Sequence, residues 1–171
     1  EQYLSTHDET LRTRAQQLCA MDPAAPWSII AITFTNKAAN ELKDRLENML
    51  GSSGRDVWAS TFHSACVRIL RRDIGKLGFE SSFTIYDTSD SERVIKDIIK
   101  DFNLNDKIFT PKSVASGISR AKDAMNPPRE YLAFAEKTGD IYAQSIGKCY
   151  VEYQNRLKRN NALDFDDIIY Y

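Results

Sequence analysis

Two short apolar runs, each followed by apolar residues at helical spacing, dominate the first half of the chain. The first run covers residues 29–32, and apolar side chains then recur every three or four positions up to Leu50. This change of period predicts a buried strand, a tight turn and an amphipathic helix. We expect Thr35 or Asn36 to cap this helix at its start and Gly51 to end it.

A second unit with the same pattern follows. Residues 57–60 predict a strand, and residues 61–64 predict the turn before another helix. The first strand is apolar on both faces, which is typical of a parallel sheet covered on both sides. Open α/β sheets bind ligands at the carboxyl ends of their strands. The two turns therefore predict one platform at that edge, and the alternative is an ordinary pair of βα units with polar turns.

The side chains in these two turns suit a nucleic acid. Phe34 and Phe62 are rings on which bases can stack. Hydroxyl, amide and imidazole groups, together with the free N–H groups at two helix starts, can hold phosphates. The residues with those polar side chains are Thr35, Asn36, Thr61 and His63.

These stretches resemble a known family. Residues 31–39 and 61–71 are similar to the two early DNA-contacting motifs of UvrD/Rep/PcrA-type superfamily 1 helicases. Residues 83–87 and 161–167 resemble later segments of the same family, in the same order and at similar spacing. The resemblance covers residues 26–171 and is closest to the PcrA-like branch. Four matched segments in order are much more specific than one.

The resemblance implies an architecture. We expect a helix-dominated α/β fold, in which a partial RecA-like parallel sheet is joined to an all-helical inserted subdomain. In this division residues 1–86 belong to the first RecA-like motor domain, residues 87–162 form the helical accessory insertion, and residues 163–171 re-enter the motor domain. The chain would then be a fragment, and the remainder of the helicase chain would be a partner that is missing here.

The resemblance also implies an activity. Members of this family are ATP-dependent DNA helicases that translocate on single-stranded DNA and unwind duplex DNA in replication or repair. The expected nucleic-acid partners are therefore single-stranded DNA and the duplex junction. The alternative is a stand-alone helical module that binds nucleic acid or protein and performs no chemistry.

Helix signals fill the second half of the chain. The start signals are a capping box at residues 89–92, the pair Thr110-Pro111 and the pair Pro127-Pro128. A long final helix carries an apolar and aromatic stripe from Tyr142 to Leu157. A stripe at this spacing predicts a packed core.

Two groups of cations in this helical half are candidates for contact with DNA. Arg120 and Lys122 lie in a segment that resembles the family, which implies a role in DNA binding. Arg156, Lys158 and Arg159 cluster at the end of the last long helix. Cations at a helix C-terminus also stabilise the helix dipole, and we favour that structural explanation for the second group.

The nucleotide-binding signature of the family is missing. Its phosphate loop, GxxxxGK[ST], binds phosphates through backbone N–H groups and a lysine. The equivalent residues 5–10 contain neither glycine nor lysine, and no glycine precedes Gly51. The family's acidic Mg²⁺-binding motif lies beyond the matched segments. ATP and Mg²⁺ are thus expected cofactors of the parent enzyme, whereas this chain is expected to bind no cofactor, to contain no catalytic residue and to be inactive alone.

Three carboxylates occur close together near the end of the chain. Asp164, Asp166 and Asp167 suggest a metal site by composition. The favoured interpretation is structural, with Asp164 as a helix cap and the other two acids in the first turn of that helix. We therefore predict no metal site.

Composition adds little to this picture. The 171 residues carry 23 basic and 24 acidic side chains, so no overall positive charge indicates nucleic acid. Cys19, Cys66 and Cys149 are widely spaced, and we expect Cys66 and Cys149 to be buried free thiols. A reducing cytoplasm is the expected location, and no membrane partner is expected because no apolar run is long enough to span a bilayer.

Overall fold

The computed structural model describes residues 9–19 and 22–171. The chain divides into two compact units between Phe62 and His63. Helices dominate both, and the strands form short parallel sheets, which confirms the predicted helix-dominated α/β class. The assignment of residues 1–86, 87–162 and 163–171 to a motor domain, an insertion and a re-entry segment stays a prediction.

The first unit contains the first predicted βα pattern and the strand of the second. Its elements are α1 (Glu9–Cys19), β1 (Ile30–Thr33), α2 (Asn36–Leu50) and β2 (Trp58–Thr61), with 3₁₀ turns at Pro26–Ser28 and Gly51–Asp56. β1 and β2 pair in parallel, and Ile30 lies opposite Trp58 in the register. The prediction of two neighbouring parallel strands is therefore confirmed.

The predicted ends of α2 are also confirmed. The Thr35 hydroxyl accepts a hydrogen bond from the backbone N–H of Ala38 at 3.2 Å, so Thr35 is the N-cap. Gly51 follows the helix with φ of 64°, a conformation that suits glycine. These local signals position the turn at the end of β1.

The expected burial of β1 is wrong. Ile30 and Ile32 are 48 % and 41 % exposed. Burial alternates along the strand, and the sheet has two strands within the described residues. Because a two-stranded sheet cannot cover the apolar residues on both of its faces, these side chains remain accessible.

The second unit carries the helical half of the chain. Its elements are most of α3 (Phe62–Asp73), a 3₁₀ turn at Ile74–Leu77, β3 (Thr84–Ile85), α4 (Thr88–Asp101), α5 (Pro111–Asp123), α6 (Pro128–Thr138), α7 (Ile141–Arg159), β4 (Ala162–Leu163) and α8 (Asp167–Tyr170). β3 and β4 pair in parallel on either side of the helical block. The chain thus returns after α7 to the strand from which the block departed.

The aromatic stripe of α7 forms a core, as predicted. Tyr150 and Tyr153 are no more than 1 % exposed and pack with apolar residues of α4 and α5. Tyr142, at the start of the stripe, is 42 % exposed and stacks on Phe109. A smaller core joins α3, β4 and α8 through Leu70, Leu163 and neighbouring apolar side chains.

The start of α4 differs from the prediction of a capping box at residues 89–92. The box is formed by Asp87 and Asp90 instead. The Asp87 carboxylate accepts from the Asp90 backbone N–H at 2.9 Å, and Asp90 accepts from the Asp87 N–H at 3.3 Å. An aspartate at both positions satisfies the same two donors, so the helix begins earlier than the serine-based pattern indicates.

The three cysteines are free, and only one of the two predicted to be buried is fully buried. Cys149 is inaccessible in the larger core, which contains the aromatic stripe of α7, and burial raises the pKa of its thiol to about 11. Cys66 is partly exposed, and Cys19 is exposed.

Candidate nucleic-acid interface

The register of the first sheet brings two phenylalanine rings together. Thr33 and Thr61, the last residues of the two strands, lie directly opposite each other, and a phenylalanine follows each of them. The ring centroids of Phe34 and Phe62 are 6.5 Å apart, and their planes differ by 11°. Phe34 is 94 % exposed and Phe62 is 44 % exposed. Two nearly parallel apolar rings therefore face solvent at the carboxyl ends of the strands.

Polar groups accompany the ring pair. Thr35 uses its oxygen lone pair to cap α2, and its O–H remains able to donate. Asn36 is the exposed first residue of α2, where backbone N–H groups have no partner within the helix. Thr61 is half-buried at the end of β2. The predicted polar candidates of the first unit thus lie at the ends of the strands that carry the rings.

His63 belongs to the second unit and is stacked on a ring that the sequence did not predict. Its imidazole centroid lies 4.1 Å from that of Phe165, with the planes at 26°. Phe165 is 58 % exposed. The sequence pattern predicted a helix cap for the stretch that contains Phe165. The one signal that could have identified Phe165 is that it is an aromatic residue at a turn position where polar residues are usual.

The two cations predicted from α5 have opposite environments. Arg120 is exposed and remains available to a partner. Lys122 is 1 % exposed, and its ammonium lies 2.6 Å from Asp164 Oδ2 and 2.8 Å from Asp167 Oδ1. A buried ammonium that is paired with two carboxylates has no surface to offer a phosphate. The prediction that Lys122 contacts DNA is therefore corrected, and Lys122 is removed from the candidates.

The carboxylates of the last turn are used structurally, but the helix begins later than the sequence predicted, with Asp166 as its N-cap residue and Asp167 as its first residue. Asp164 Oδ1 accepts from the backbone N–H of Asp167 at 2.8 Å, and Asp167 Oδ2 accepts from that of Asp164 at 3.2 Å. Burial raises the pKa of Asp167 to about 6, while the Lys122 charge opposes that shift. Among residues 9–19 and 22–171, no cluster of three or more carboxylate, imidazole or thiol groups forms a metal site.

The cations at the end of α7 have intramolecular partners. Arg156 contacts Glu152 and Asp101, and Arg159 also contacts Glu152. Lys158 donates to the backbone oxygen of Leu77 at 3.0 Å. These contacts agree with the structural explanation of this cluster.

Two further expectations concern ATP and membranes. Residues 5–8, which belong to the segment equivalent to the phosphate loop, lie outside the described residues. The prediction that this chain binds no nucleotide therefore stays a prediction. No helix in the described part of the chain is both long and apolar enough to cross a bilayer.

Comparison with known proteins agrees with the family that the sequence motifs resemble. Residues 8–171 match the family described as the UvrD/REP helicase N-terminal domain. The chain is 48 % identical over 159 residues to the ATP-dependent DNA helicase PcrA of Bacillus subtilis (strain 168), which covers 93 % of this chain and 21 % of that protein. It is 45 % identical over 145 residues to PcrA of Staphylococcus epidermidis (strain RP62A), which covers 85 % and 20 %.

The match fixes the family and its extent. The chain spans about a fifth of the length of the curated relatives it matches. The matched region includes both strand-end phenylalanines and the last turn with Phe165. The chain belongs to the family of the UvrD/REP helicase N-terminal domain.

Proposed function

We propose that this chain is part of an ATP-dependent DNA helicase that translocates on single-stranded DNA and unwinds duplex DNA in replication or repair. In this proposal the strand ends of the first unit bind the single strand, and residues 87–162 form the accessory subdomain beside the duplex junction. The remainder of the helicase chain is the required partner, and the cytoplasm is the proposed location.

The observation that carries the proposal is the geometry of Phe34 and Phe62. The Phe34 and Phe62 rings are nearly parallel, with centroids 6.5 Å apart, so both can offer a face to a neighbouring base. Exposed rings that are not needed for the core are well suited to this role, because every base has an aromatic face.

The polar groups beside the rings account for the backbone contacts. Thr35, Asn36 and Thr61 are neutral donors and acceptors at the same strand ends. In the proposal they hold phosphates or sugars, together with the first N–H groups of α2. Such contacts carry no base information. Binding is therefore expected to depend little on sequence.

The second unit offers its own contacts. His63 and the exposed Phe165 form a stacked pair whose outer ring can receive another base. Arg120 is the cation on α5 that we propose for phosphate contact. Each contact is proposed independently of how the two units are arranged.

ATP and Mg²⁺ are proposed as cofactors of the whole helicase, where they would supply the phosphoryl-transfer chemistry. The sequence of this chain has no lysine or glycine with which to hold the phosphates at residues 5–10. We therefore expect no DNA-stimulated ATP hydrolysis by the 171-residue chain, as measured by phosphate release. ATP hydrolysis that elutes together with this chain from two successive chromatography columns would contradict this part of the proposal.

The binding proposal is tested with fluorescein-labelled single strands of dT, dC and mixed sequence. We expect the chain to bind all three with similar affinity and the double variant Phe34→Ala/Phe62→Ala to bind all three more weakly. Trp27→Ala is the matched control, because Trp27 is an aromatic residue of the same unit, is 76 % exposed and precedes β1. Equal affinity of the double variant and the wild type would contradict the proposal.

A further inference from the structure

The buried lysine of the second unit has no part in the DNA contacts proposed above. Lys122 lies on α5, 42 positions before Asp164 in the sequence, and is 1 % exposed. Its ammonium donates to Asp164 at 2.6 Å and lies 2.8 Å from an oxygen of Asp167. A long charged side chain is rarely buried in this way unless it is paired. Its position therefore needs an explanation other than contact with a partner.

Both carboxylates also close the turn that precedes α8. In each of them one oxygen accepts from a backbone N–H of the turn, and the other oxygen faces Lys122. The Tyr153 hydroxyl donates to the Lys122-facing oxygen of Asp164 at 2.9 Å, and Gln154 donates to that of Asp167 at 3.0 Å. The four oxygens are thus all occupied, and among the residues that the structure describes Lys122 is the single cation that contacts them.

The charges show what Lys122 contributes. One ammonium faces two carboxylates, which are 8 % and 0 % exposed as residues. Without the ammonium, two buried carboxylates would face each other with only neutral donors beside them. Like charges at short range in a buried site repel strongly. Lys122 is the group that offsets this repulsion between the two carboxylates of the turn.

The closed turn carries an exposed ring. Phe165 lies between Asp164 and Asp167 in the sequence, is 58 % exposed and stacks on His63 at 4.1 Å. More than half of Phe165 is exposed, so the fold covers only part of the ring. Its position depends on the backbone of the turn, which the two carboxylates and Lys122 hold.

We propose that Lys122 is a positioning residue, which holds the turn from Asp164 to Asp167 through a buried ion pair and thereby keeps Phe165 stacked on His63. The consequence for DNA binding rests on the proposed function. The positioning itself does not, so two separate measurements are needed.

The first measurement reads the position of the ring. The ring protons of His63 carry a ring-current shift from Phe165 in NMR spectra of the 171-residue chain, and Phe165→Leu supplies the reference without the ring. In Lys122→Met, which keeps most of the length of the side chain and removes its charge, we expect the His63 signals to move toward those of Phe165→Leu. Unchanged His63 signals in a folded Lys122→Met variant would overturn the proposal.

The second measurement reads the affinity for a fluorescein-labelled dT strand in a double-mutant cycle. We expect Lys122→Met and Phe165→Ala each to weaken binding by about tenfold, the loss of one base–aromatic stack, and their combination to weaken it no further. Lys122→Met and Phe34→Ala should combine additively. An additive result with Phe165→Ala would mean that Lys122 acts only on stability and would overturn the proposal.

Two remaining outcomes are also decisive. A wild-type chain that binds no single strand contradicts the proposed function, and the His63 signals then decide the positioning alone. If Lys122→Met does not fold, Lys122→Gln replaces it in both measurements, because glutamine lacks the charge but can still donate to a carboxylate. Release of the His63–Phe165 stack by Lys122→Gln supports the proposal, and an intact stack overturns it.

Discussion

The ring pair of the first unit and the buried ion pair of the second are built in opposite ways. Phe34 and Phe62 are apolar side chains left in solvent, whereas Lys122 is a charged side chain enclosed in the protein. Simple composition rules would assign the rings to the core and the lysine to DNA. The comparison shows that exposure, and not residue type, separates candidate binding groups from structural ones in this chain.

This difference predicts opposite effects of substitution. Removing a group from the buried cluster should cost stability first, because it leaves charges without partners. Removing an exposed ring should cost affinity and leave stability nearly unchanged. The substitutions described next test one or both of these expectations.

The largest effect is expected at Lys122. Lys122→Met should lower the free energy of unfolding by about 3–5 kcal/mol, because two buried carboxylates lose their cation. Chemical denaturation of the 171-residue chain measures this change. Lys112→Met is the matched control, since Lys112 is an exposed lysine on the same helix and should change stability by less than about 0.5 kcal/mol. Equal stabilities of the two variants would show that the buried Lys122 contributes no more to stability than an exposed lysine does.

The second effect is a pH dependence that originates at Asp167. Its folded-state pKa of about 6 lies above the unfolded value of about 3.9. Between these values the folded state binds more protons than the unfolded state. Stability from this group therefore falls as pH rises from about 4 to about 6 and stays low above that window.

The variant Asp167→Asn isolates this contribution. The stability difference between wild type and variant should change by an amount on the order of 3 kcal/mol across the same pH window, since the shift is about two pKa units and one unit corresponds to about 1.4 kcal/mol. Asp73, Asp87 and Glu152 have lowered pKa values and give the opposite trend, which is common to both proteins and cancels. A difference that is independent of pH would show that burial does not raise the pKa of Asp167.

The smallest effect is expected at Thr35, which has roles on both sides of the contrast. Thr35→Ala removes the N-cap of α2 and should cost about 1 kcal/mol of stability. It should also weaken binding of all single strands equally and leave the salt dependence unchanged, because a neutral phosphate contact releases no cations.

The control for Thr35→Ala is a cap of the same chemistry in the other unit. Thr110 caps α5 by accepting from the Ser113 backbone N–H at 3.1 Å. Thr110→Ala should lose similar stability and retain its affinity for DNA. Loss of affinity in both variants would mean that weaker helices, and not a lost phosphate contact, explain the effect of Thr35→Ala.

Local signals explain which parts of the structure were predictable. The βα patterns, the Thr35 cap and the Gly51 end depend on residues within a few positions of each other, and the structure has all of them. The aromatic stripe of α7 was predictable for the same reason, because helical spacing alone places its members on one face.

The environment of Lys122 was not predictable because its partners are distant in the sequence. Nothing near Lys122 indicates that Asp164 lies 42 positions later and packs against it. Phe165 was missed for a related reason, since its exposure depends on how the turn before α8 is held. The exposure of Ile30 and Ile32 also depends on the number of strands in the sheet, which the sequence pattern of one strand does not indicate.

The central claim is that Phe34 binds bases and does not serve the core, and Phe34→Ala tests it when stability and affinity are measured in the same preparation. We expect an unchanged melting temperature and a loss of single-strand affinity of about five-fold to over a hundred-fold, which corresponds to about 1–3 kcal/mol for one base–aromatic stack. A large fall in melting temperature, of the size produced by losing about 3–5 kcal/mol of core packing, together with unchanged affinity, would contradict the account.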